Sequence, residues 1–135
     1  MTIQLSVLCR DARLNAIETY GGTDAVLKLW TGAQPATPET ADSGTLVAAM
    51  TLPSDWMAAA SSASKAKAGT WEDTSADNPG TVGHFRLYKS DGSTVIMQGS
   101  VTITGSGGDM TLDNNVVVAG QSISITTFAL TGGNP

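Results

Sequence analysis

Apolar and polar residues alternate along the stretch from Thr81 to Ile103, TVGHFRLYKSDGSTVIMQGSVTI. In its second half the apolar side chains recur between polar ones, at Val95, Met97, Val101 and Ile103. A period of two places alternate side chains on a buried face and on a wet face. The Asp-Gly pair within SDGS is a strong hairpin signal. The stretch therefore predicts a β-hairpin, and with it a protein built on a sheet.

The clearest helical pattern runs from Ser6 to Tyr20. Ser6 can cap its N-terminus, and Gly21-Gly22 can end it. The apolar side chains expected to pack inward are Val7, Leu8, Ala12, Leu14, Ala16 and Ile17. Those expected to face water are Arg10, Asp11, Arg13 and Glu18. The sequence thus predicts one N-terminal helix over residues 6–20 with its charged residues outside.

Strands are expected between residues 25 and 130, because turn signals recur roughly every 8 to 12 residues, as in a sandwich or barrel. The ambiguous segment Ala63–Trp71 is predicted to be a strand. The last strand, Ser122–Leu130, changes its apolar parity, which predicts a bulge near Thr126-Thr127. Residues 131–135 form a short tail. The expected fold is mainly β: a single-domain antiparallel β-sandwich over residues 1–135, jelly-roll or immunoglobulin-like, with one N-terminal helix.

The charge balance argues against nucleic acid and membrane partners. The 135 residues include 7 Lys and Arg against 12 Asp and Glu, with a net charge of -5. Nucleic acid binding needs a basic patch, and so does an anionic membrane surface. No apolar run is long enough to span a bilayer. The first residues lack the pattern of a secretory signal, so we expect the chain to remain in the cytosol or to leave it inside a particle.

Candidate chemistry is sparse. The chain has one histidine, His84, and one cysteine, Cys9. No site of two histidines can therefore form within one chain, and no GxSxG motif is present. We expect no enzyme activity, no catalytic residues, no metal and no cofactor. Cys9 is interpreted as a small apolar residue on a packed helix face, with a disulfide between subunits as the alternative.

Two long polar loops and the N-terminal segment are candidate partner contacts. The first loop, Gly32–Gly44, contains Pro35 and Pro38. Loops of this length are often functional, and the alternative is a disordered excursion.

The second loop, Glu72–Gly80, contains Asp73 and Asp77. Its carboxylates could bind calcium, although the spacing of a dedicated calcium loop is missing. The alternative is that these residues stabilise turns.

The wet face of the predicted hairpin is a further candidate interface, because His84, Arg86 and Tyr88 are expected to share it. Trp56 and Trp71 could form a platform that stacks on sugars. The alternative is that the two tryptophans are core or interface anchors.

Several segments resemble a known group of proteins when taken in order. They include LKLWTG, GTLVAAMTL, TSAD at Thr74 to Asp77, FRLYKSDGSTV at Phe85 to Val95, and AGQSISIT at Ala119 to Thr126. From about Leu5 to Leu130 the chain resembles small virion structural proteins of tailed bacteriophages and prophages. None of these segments is a catalytic motif, so no functional residue is carried over.

The resemblance implies a structural role in a virion assembled in the bacterial cytoplasm. The first expectation is a capsid decoration or cement protein that binds other virion proteins, such as the major capsid protein, and copies of itself. The alternative is a neck, collar, tail or baseplate subunit. A carbohydrate-binding module is the alternative from another class.

Overall fold

The computed structural model describes residues 2–134, in which one helix is followed by ten strands. The helix α1 spans Val7–Gly21, and the strands β1 to β10 span Val26–Thr31, Leu46–Thr51, Ser64–Ala66, Trp71–Asp73, Gly80–Tyr88, Val95–Ile103, Met110–Leu112, Val116–Val117, Ile123–Ile125 and Ala129–Thr131. Strand accounts for 38% of the chain and helix for 11%, which confirms the prediction of a mainly β protein with one N-terminal helix. Met1 and Pro135, at the ends of the predicted domain and tail, lie outside the described residues.

The main sheet has the strand order β2-β1-β5-β6-β7, and β8 pairs with the start of β5. Two short pairs, β10-β3 and β4-β9, stand apart from it. Pairing within residues 2–134 is antiparallel except between β6 and β7, where it is parallel. The sheet curls, and the whole is sandwich-like, as predicted. The parallel pair is the departure from a purely antiparallel sandwich.

The predicted hairpin is formed by β5 and β6. Its turn depends on Asp91, whose carboxylate accepts hydrogen bonds from the backbone N–H groups of Ser93 at 2.9 Å and Thr94 at 2.8 Å. The hydroxyl of Thr94 donates to the same carboxylate. The hydrogen bonds from Thr94 and Ser93 lower the pKa of Asp91 to about 2, because they favour the charged form.

A chain of aromatic rings crosses the core. Phe85, on the apolar face of β5, meets Phe128 edge-on with ring centroids 5.6 Å apart. Phe128 lies 5.6 Å from Trp71, which lies 6.4 Å from Trp56. Trp56 and Trp71 are 0% and 1% exposed. The tryptophans therefore join the main sheet to the segments that cover it.

Two predicted strands are each divided in two. The segment predicted as Ala63–Trp71 forms β3 and β4, separated by a turn at Gly69, where φ is +68°. The segment predicted as Ser122–Leu130 forms β9 and β10 with Phe128 buried between them. The change of parity there marks a switch of partner strand instead of a bulge, since β9 pairs with β4 and β10 with β3.

The ends of the helix follow the sequence closely. Ser6 is the N-cap, and its hydroxyl accepts the N–H of Cys9 at 3.2 Å. Gly22 ends the helix at φ +74°, and its N–H donates to Glu18 O at 2.9 Å. A residue in the left-handed region at this position is a common helix stop, and glycine adopts it without a Cβ penalty.

The orientation of the helix confirms the prediction for Leu14, which is buried, and Ile17, which packs against the core, but contradicts it for the polar residues. Asp11, Asn15 and Glu18, spaced so as to share one face, point into the protein. Their side chains accept backbone N–H groups of the segment 57–63: Ala63 to Asp11 at 2.7 Å, Ala60 to Asn15 at 3.0 Å and Met57 to Glu18 at 3.0 Å.

The charge of Glu18 has a buried partner in Lys65, which is 2% exposed. Lys65 Nζ lies 2.8 Å from Glu18 Oε2, and it also donates to Asn15 Oδ1 and Ala58 O. The apolar residues Val7 and Leu8 face outward instead, 44% and 80% exposed. The prediction failed for these residues because the irregular segment beneath the helix presents backbone N–H groups that no strand or helix pairs. Such groups need hydrogen-bond acceptors, which the polar side chains of the helix supply.

Gly83 provides a test of how closely the first long loop lies against the sheet. It is the extra residue of a bulge in β5, between the pairs Trp30–His84 and Thr31–Val82. A Cβ built there would lie 2.2 Å from the carbonyl oxygen of Gly32. We expect Gly83→Ala to lower the free energy of unfolding by about 1–3 kcal/mol, because backbone must move to admit the methyl group. Urea denaturation measures this.

The matched control for Gly83→Ala is Gly133→Ala, since a Cβ at Gly133 meets nothing within 4 Å. Its effect should stay within about 0.5 kcal/mol of zero. Equal stability of the two variants would mean that the loop does not lie against β5 as described.

Candidate interaction surfaces

The hairpin face predicted to be wet is buried. His84, Arg86 and Tyr88 do share one face of β5, but they are 0%, 1% and 1% exposed. The loop Gly32–Gly44 covers them. Because other parts of the chain already occupy this face, it is not available to a partner, and the expectation that these three residues form an interface is wrong.

Arg86 holds the loop in place. One guanidinium nitrogen, Nη2, donates to Pro38 O at 2.7 Å and to Thr40 O at 2.9 Å. Nη1 forms a salt bridge with Asp42, and Nε donates to Gln98 Oε1 at 3.2 Å. A buried charge is tolerated only when it is paired and hydrogen-bonded, and the rigid fork of arginine can meet several acceptors at once.

Tyr88 adds a second contact to the same carboxylate. Its hydroxyl donates to Asp42 Oδ1 at 2.5 Å, and Lys28 Nζ lies 4.6 Å from its ring centroid. Partial burial opposes ionisation of Asp42, but the hydrogen bonds from Tyr88 and Arg86 outweigh it and lower its pKa. Burial and the hydrogen bond to Asp42 raise the pKa of Tyr88 above its ordinary value.

The beginning of the loop is attached to neighbouring strands. His84 Nδ1 lies 2.9 Å from Gly32 O, which can only accept, so Nδ1 carries the proton. Gln98 Nε2 donates to Pro35 O at 2.7 Å. Pro35 is buried and Pro38 is exposed. Of these two proline candidates, only Pro38 therefore remains on the surface.

The segment predicted as the second loop begins inside β4, which includes Glu72 and Asp73, and it closes an edge of the sheet. Asp73 Oδ2 accepts Ala49 N at 3.1 Å, and the N–H of Asp77 donates to Val47 O at 2.8 Å. These bonds satisfy outer backbone groups of β2, which would otherwise be an open edge. Among residues 2–134 no cluster of three His, Cys, Asp or Glu side chains could hold a metal ion. Asp73 through its carboxylate and Asp77 through its backbone N–H thus cap the edge of β2.

The remaining candidates are Trp56, Trp71 and Cys9. Trp56 and Trp71 are buried anchors, so the flat exposed platform that sugar stacking requires is not formed by them. Their indole N–H groups donate to Gly22 O at 2.8 Å and Ala68 O at 3.0 Å. Cys9 is exposed instead of packed, because it lies on the outer side of the helix. Among residues 2–134 no helix has the length and apolar character to cross a membrane.

The N-terminal segment, which the sequence analysis names as a candidate contact, exposes apolar side chains. Ile3, Val7 and Leu8, which we call the N-terminal patch, are 73%, 44% and 80% exposed. Exposed apolar residues that cluster mark interaction sites more often than isolated ones do. The sequence analysis expected Val7 and Leu8 to pack inward, so the apolar character of this contact was not predicted.

A second group of exposed apolar residues lies on different strands. Ile103, Val116 and Val118 are 45%, 56% and 62% exposed. Ile103 ends β6, while β8 pairs with the start of β5, so these residues belong to the same end of the main sheet. The molecule thus exposes apolar side chains on two separate elements.

Comparison of the chain with models of protein families, with curated proteins and with solved structures finds no match.

The Arg86 network gives a prediction about the first loop. Arg86→Met keeps much of the side-chain stem but removes the salt bridge to Asp42, which retains only Tyr88, and the donor to two loop carbonyls. We expect a loss of about 3 kcal/mol in the free energy of unfolding, at the low end for a broken buried pair because Asp42 is partly exposed. We also expect faster amide hydrogen exchange across residues 36–42. Arg13→Met is the control, since that exposed side chain makes a single 3.4 Å bond. Unchanged loop protection in Arg86→Met would contradict the assignment.

Acid should weaken the same network. Because the pKa of Asp42 is lower in the folded state than its ordinary value of 3.8, its stabilisation is complete above that value and is lost as the pH falls through the lowered pKa. We expect Asp42→Asn to be less stable than the wild type at neutral pH and to lose less stability between about pH 5 and pH 2. Denaturation midpoints measured across this range test it, with exposed Asp55→Asn as the control. Parallel pH curves for wild type and Asp42→Asn would contradict the expectation.

Proposed function

We propose that the chain is a non-enzymatic structural component of a tailed-bacteriophage virion, and that it is a capsid decoration or cement protein. The family resemblance of its sequence suggests this class of protein. The observation that carries the proposal is the outward apolar side of α1. An exposed Leu8 contributes no burial to the stability of an isolated chain. A neighbouring subunit that covered Leu8 would supply the missing burial.

The mounting of the helix supports this interpretation. Asp11, Asn15 and Glu18 anchor it through hydrogen bonds to the segment 57–63, and Leu14 is buried beneath it, so its orientation is fixed without Val7 and Leu8. These two residues of the N-terminal patch are therefore presented on a well-anchored helix. Burying one large apolar side chain contributes about 1.5–3 kcal/mol, so even a small patch repeated over a lattice adds substantial affinity.

The contact surface in this proposal keeps only part of the one that the sequence suggested, which comprised both long loops and the N-terminal segment. The loops Gly32–Gly44 and Glu72–Gly80 are largely engaged with the chain's own sheet. We assign the lattice contact to the N-terminal patch, with the exposed outer rim of the first loop, including Pro38, as a secondary contact.

A neck, collar or tail subunit is the second candidate, and one observation favours it. Apolar residues are exposed on two separate elements, the N-terminal patch and the sheet end with Ile103, Val116 and Val118. Two different surfaces that bind each other in successive copies generate rings or helical tubes, which are the architectures of necks and tails. The number of copies per particle separates the two candidates.

Incorporation into particles tests the proposal. We expect the chain to be found in purified virions of the phage that encodes it, and Leu8→Glu to reduce its occupancy at least tenfold, because a carboxylate would be buried at the contact. Quantitative mass spectrometry of purified particles measures the occupancy. The control is Ala16→Glu, which adds the same charge two helical turns further along at an exposed position.

Two outcomes of this experiment would contradict different parts of the proposal. A wild-type chain that is absent from virions would contradict the proposed function. Normal occupancy of Leu8→Glu would contradict only the contact surface. Cryo-electron microscopy of the same particles would separate decoration of the head from a position at the neck or tail.

A further inference from the structure

Half of β6 has an open edge. On one side β6 pairs with β5, from Val95 to Ser100. On the other side β7 pairs only with Val101–Ile103, so within residues 2–134 no strand lies beside residues 95–100. The N–H of Ser100 points to this side, where it donates to Asp109 Oδ2 at 2.8 Å. Backbone groups alternate in direction along a strand, so the N–H and C=O of Gln98 point to the same open side.

An apolar groove runs beside the open edge. Its volume is about 300 Å³, and it lies between β6 and the segment that contains Phe128 and Leu130. The apolar residues that line it are Ile17, Phe85, Ile96, Met97, Phe128 and Leu130. Free backbone groups next to an apolar groove are what a bound extended segment requires: main-chain hydrogen bonds give affinity, and a pocket takes alternate side chains.

The chain itself carries a segment that fits this description. Thr2–Leu5 has no regular secondary structure and alternates polar and apolar residues. As a strand it would place Ile3 and Leu5 on one face and Thr2 and Gln4 on the other. Four residues span about 13 Å as a strand, which is shorter than the open edge of about 20 Å. The segment carries no charged side chain to oppose its burial in an apolar groove.

We propose that the segment Thr2–Leu5 of a second copy of the chain adds to the open edge of β6 and places Ile3 in the groove. Within one chain the segment does not occupy the groove, because Ile3 is 73% exposed. The N–H of Leu5 is held by Asn134 Oδ1 at 2.8 Å, which fixes the base of the segment on its own subunit. The exposed, alternating segment of one copy would supply the strand that the open edge of β6 in the other copy lacks.

This contact is directional. The donor segment and the acceptor edge are different surfaces, so each copy can give to one neighbour and receive from another. Such heterologous contacts build rings or open filaments and do not stop at a symmetric dimer. The inference does not depend on the virion role, since it concerns only the association of the chain with itself.

Disulfide trapping between copies tests the contact. In a Cys9→Ser background, Ile3→Cys and Met97→Cys proteins are prepared separately, one of them isotope-labelled, then mixed under mild oxidation. We expect mass spectrometry to find a disulfide that joins position 3 of one copy to position 97 of the other. Ile3→Cys mixed with Ser106→Cys is the control, because Ser106 lies in an exposed turn outside the groove. Equal cross-linking at position 106 would overturn the proposal.

Sedimentation supplies an independent measurement on the intact chain. We expect the wild type to self-associate, and Ile3→Asp to weaken that association at least tenfold. Gln4→Asp, which places the same charge on the opposite face of the segment, should leave it unchanged. Both substitutions lie in an exposed segment, so neither should alter folding. The proposal would be overturned by a wild type that stays monomeric at about 100 μM, by equal effects of the two variants, or by a disulfide that closes within one chain of the Ile3→Cys/Met97→Cys double variant.

Discussion

The arrangement of this molecule depends on a guanidinium group buried between a sheet and a loop. Arg86 lies on the central strand, and its donors reach Asp42 and the carbonyls of Pro38 and Thr40 in the loop above it. The loop GAQPATPETADSG has few apolar side chains, so hydrophobic burial cannot hold it. A desolvated charge that donates hydrogen bonds to several acceptors can hold the loop in place. Without Arg86, the loop would be held on that face of the sheet mainly by His84, Gln98 and Tyr88.

The helix is attached by the same principle. Lys65 is almost fully buried and is paired with Glu18, while Asp11 and Asn15 accept backbone groups of an irregular segment. In both places a polar side chain forms hydrogen bonds to backbone groups that have no partner in a strand or helix. The large apolar side chains are then concentrated in one layer, along the aromatic chain from Phe85 to Trp56. Apolar residues that do not reach this layer remain on the surface, as Leu8 does.

Local signals in the sequence predicted local structure well. The Ser6 cap, the glycine stop at Gly22 and the Asp91 turn were identified correctly, because each depends on residues close together along the chain. The alternation of apolar and polar residues also placed Phe85 and Leu87 on one face of β5, and Arg86 and Tyr88 on the other. It could not show that the second face was covered, since a polar face under a polar loop has the same pattern as a face in water. The destination of a long loop is a tertiary property. The sequence offered one hint that this face is covered. Arg86 follows the aromatic Phe85 on a strand, in a chain that has only 7 Lys and Arg.

The consequences for association follow from what the polar anchors leave exposed. Because both long loops and the β2 edge are engaged internally, the unsatisfied features of the described residues are the N-terminal patch, the apolar sheet end and the open half of β6. These features are of different kinds, apolar side chains on a rigid helix and free backbone groups beside a groove. A contact between unlike surfaces would satisfy both kinds at once, whereas a two-fold contact would pair each surface with itself. The proposed addition of Thr2–Leu5 to the open edge of β6 is of the first kind, so it would give an assembly of copies a direction.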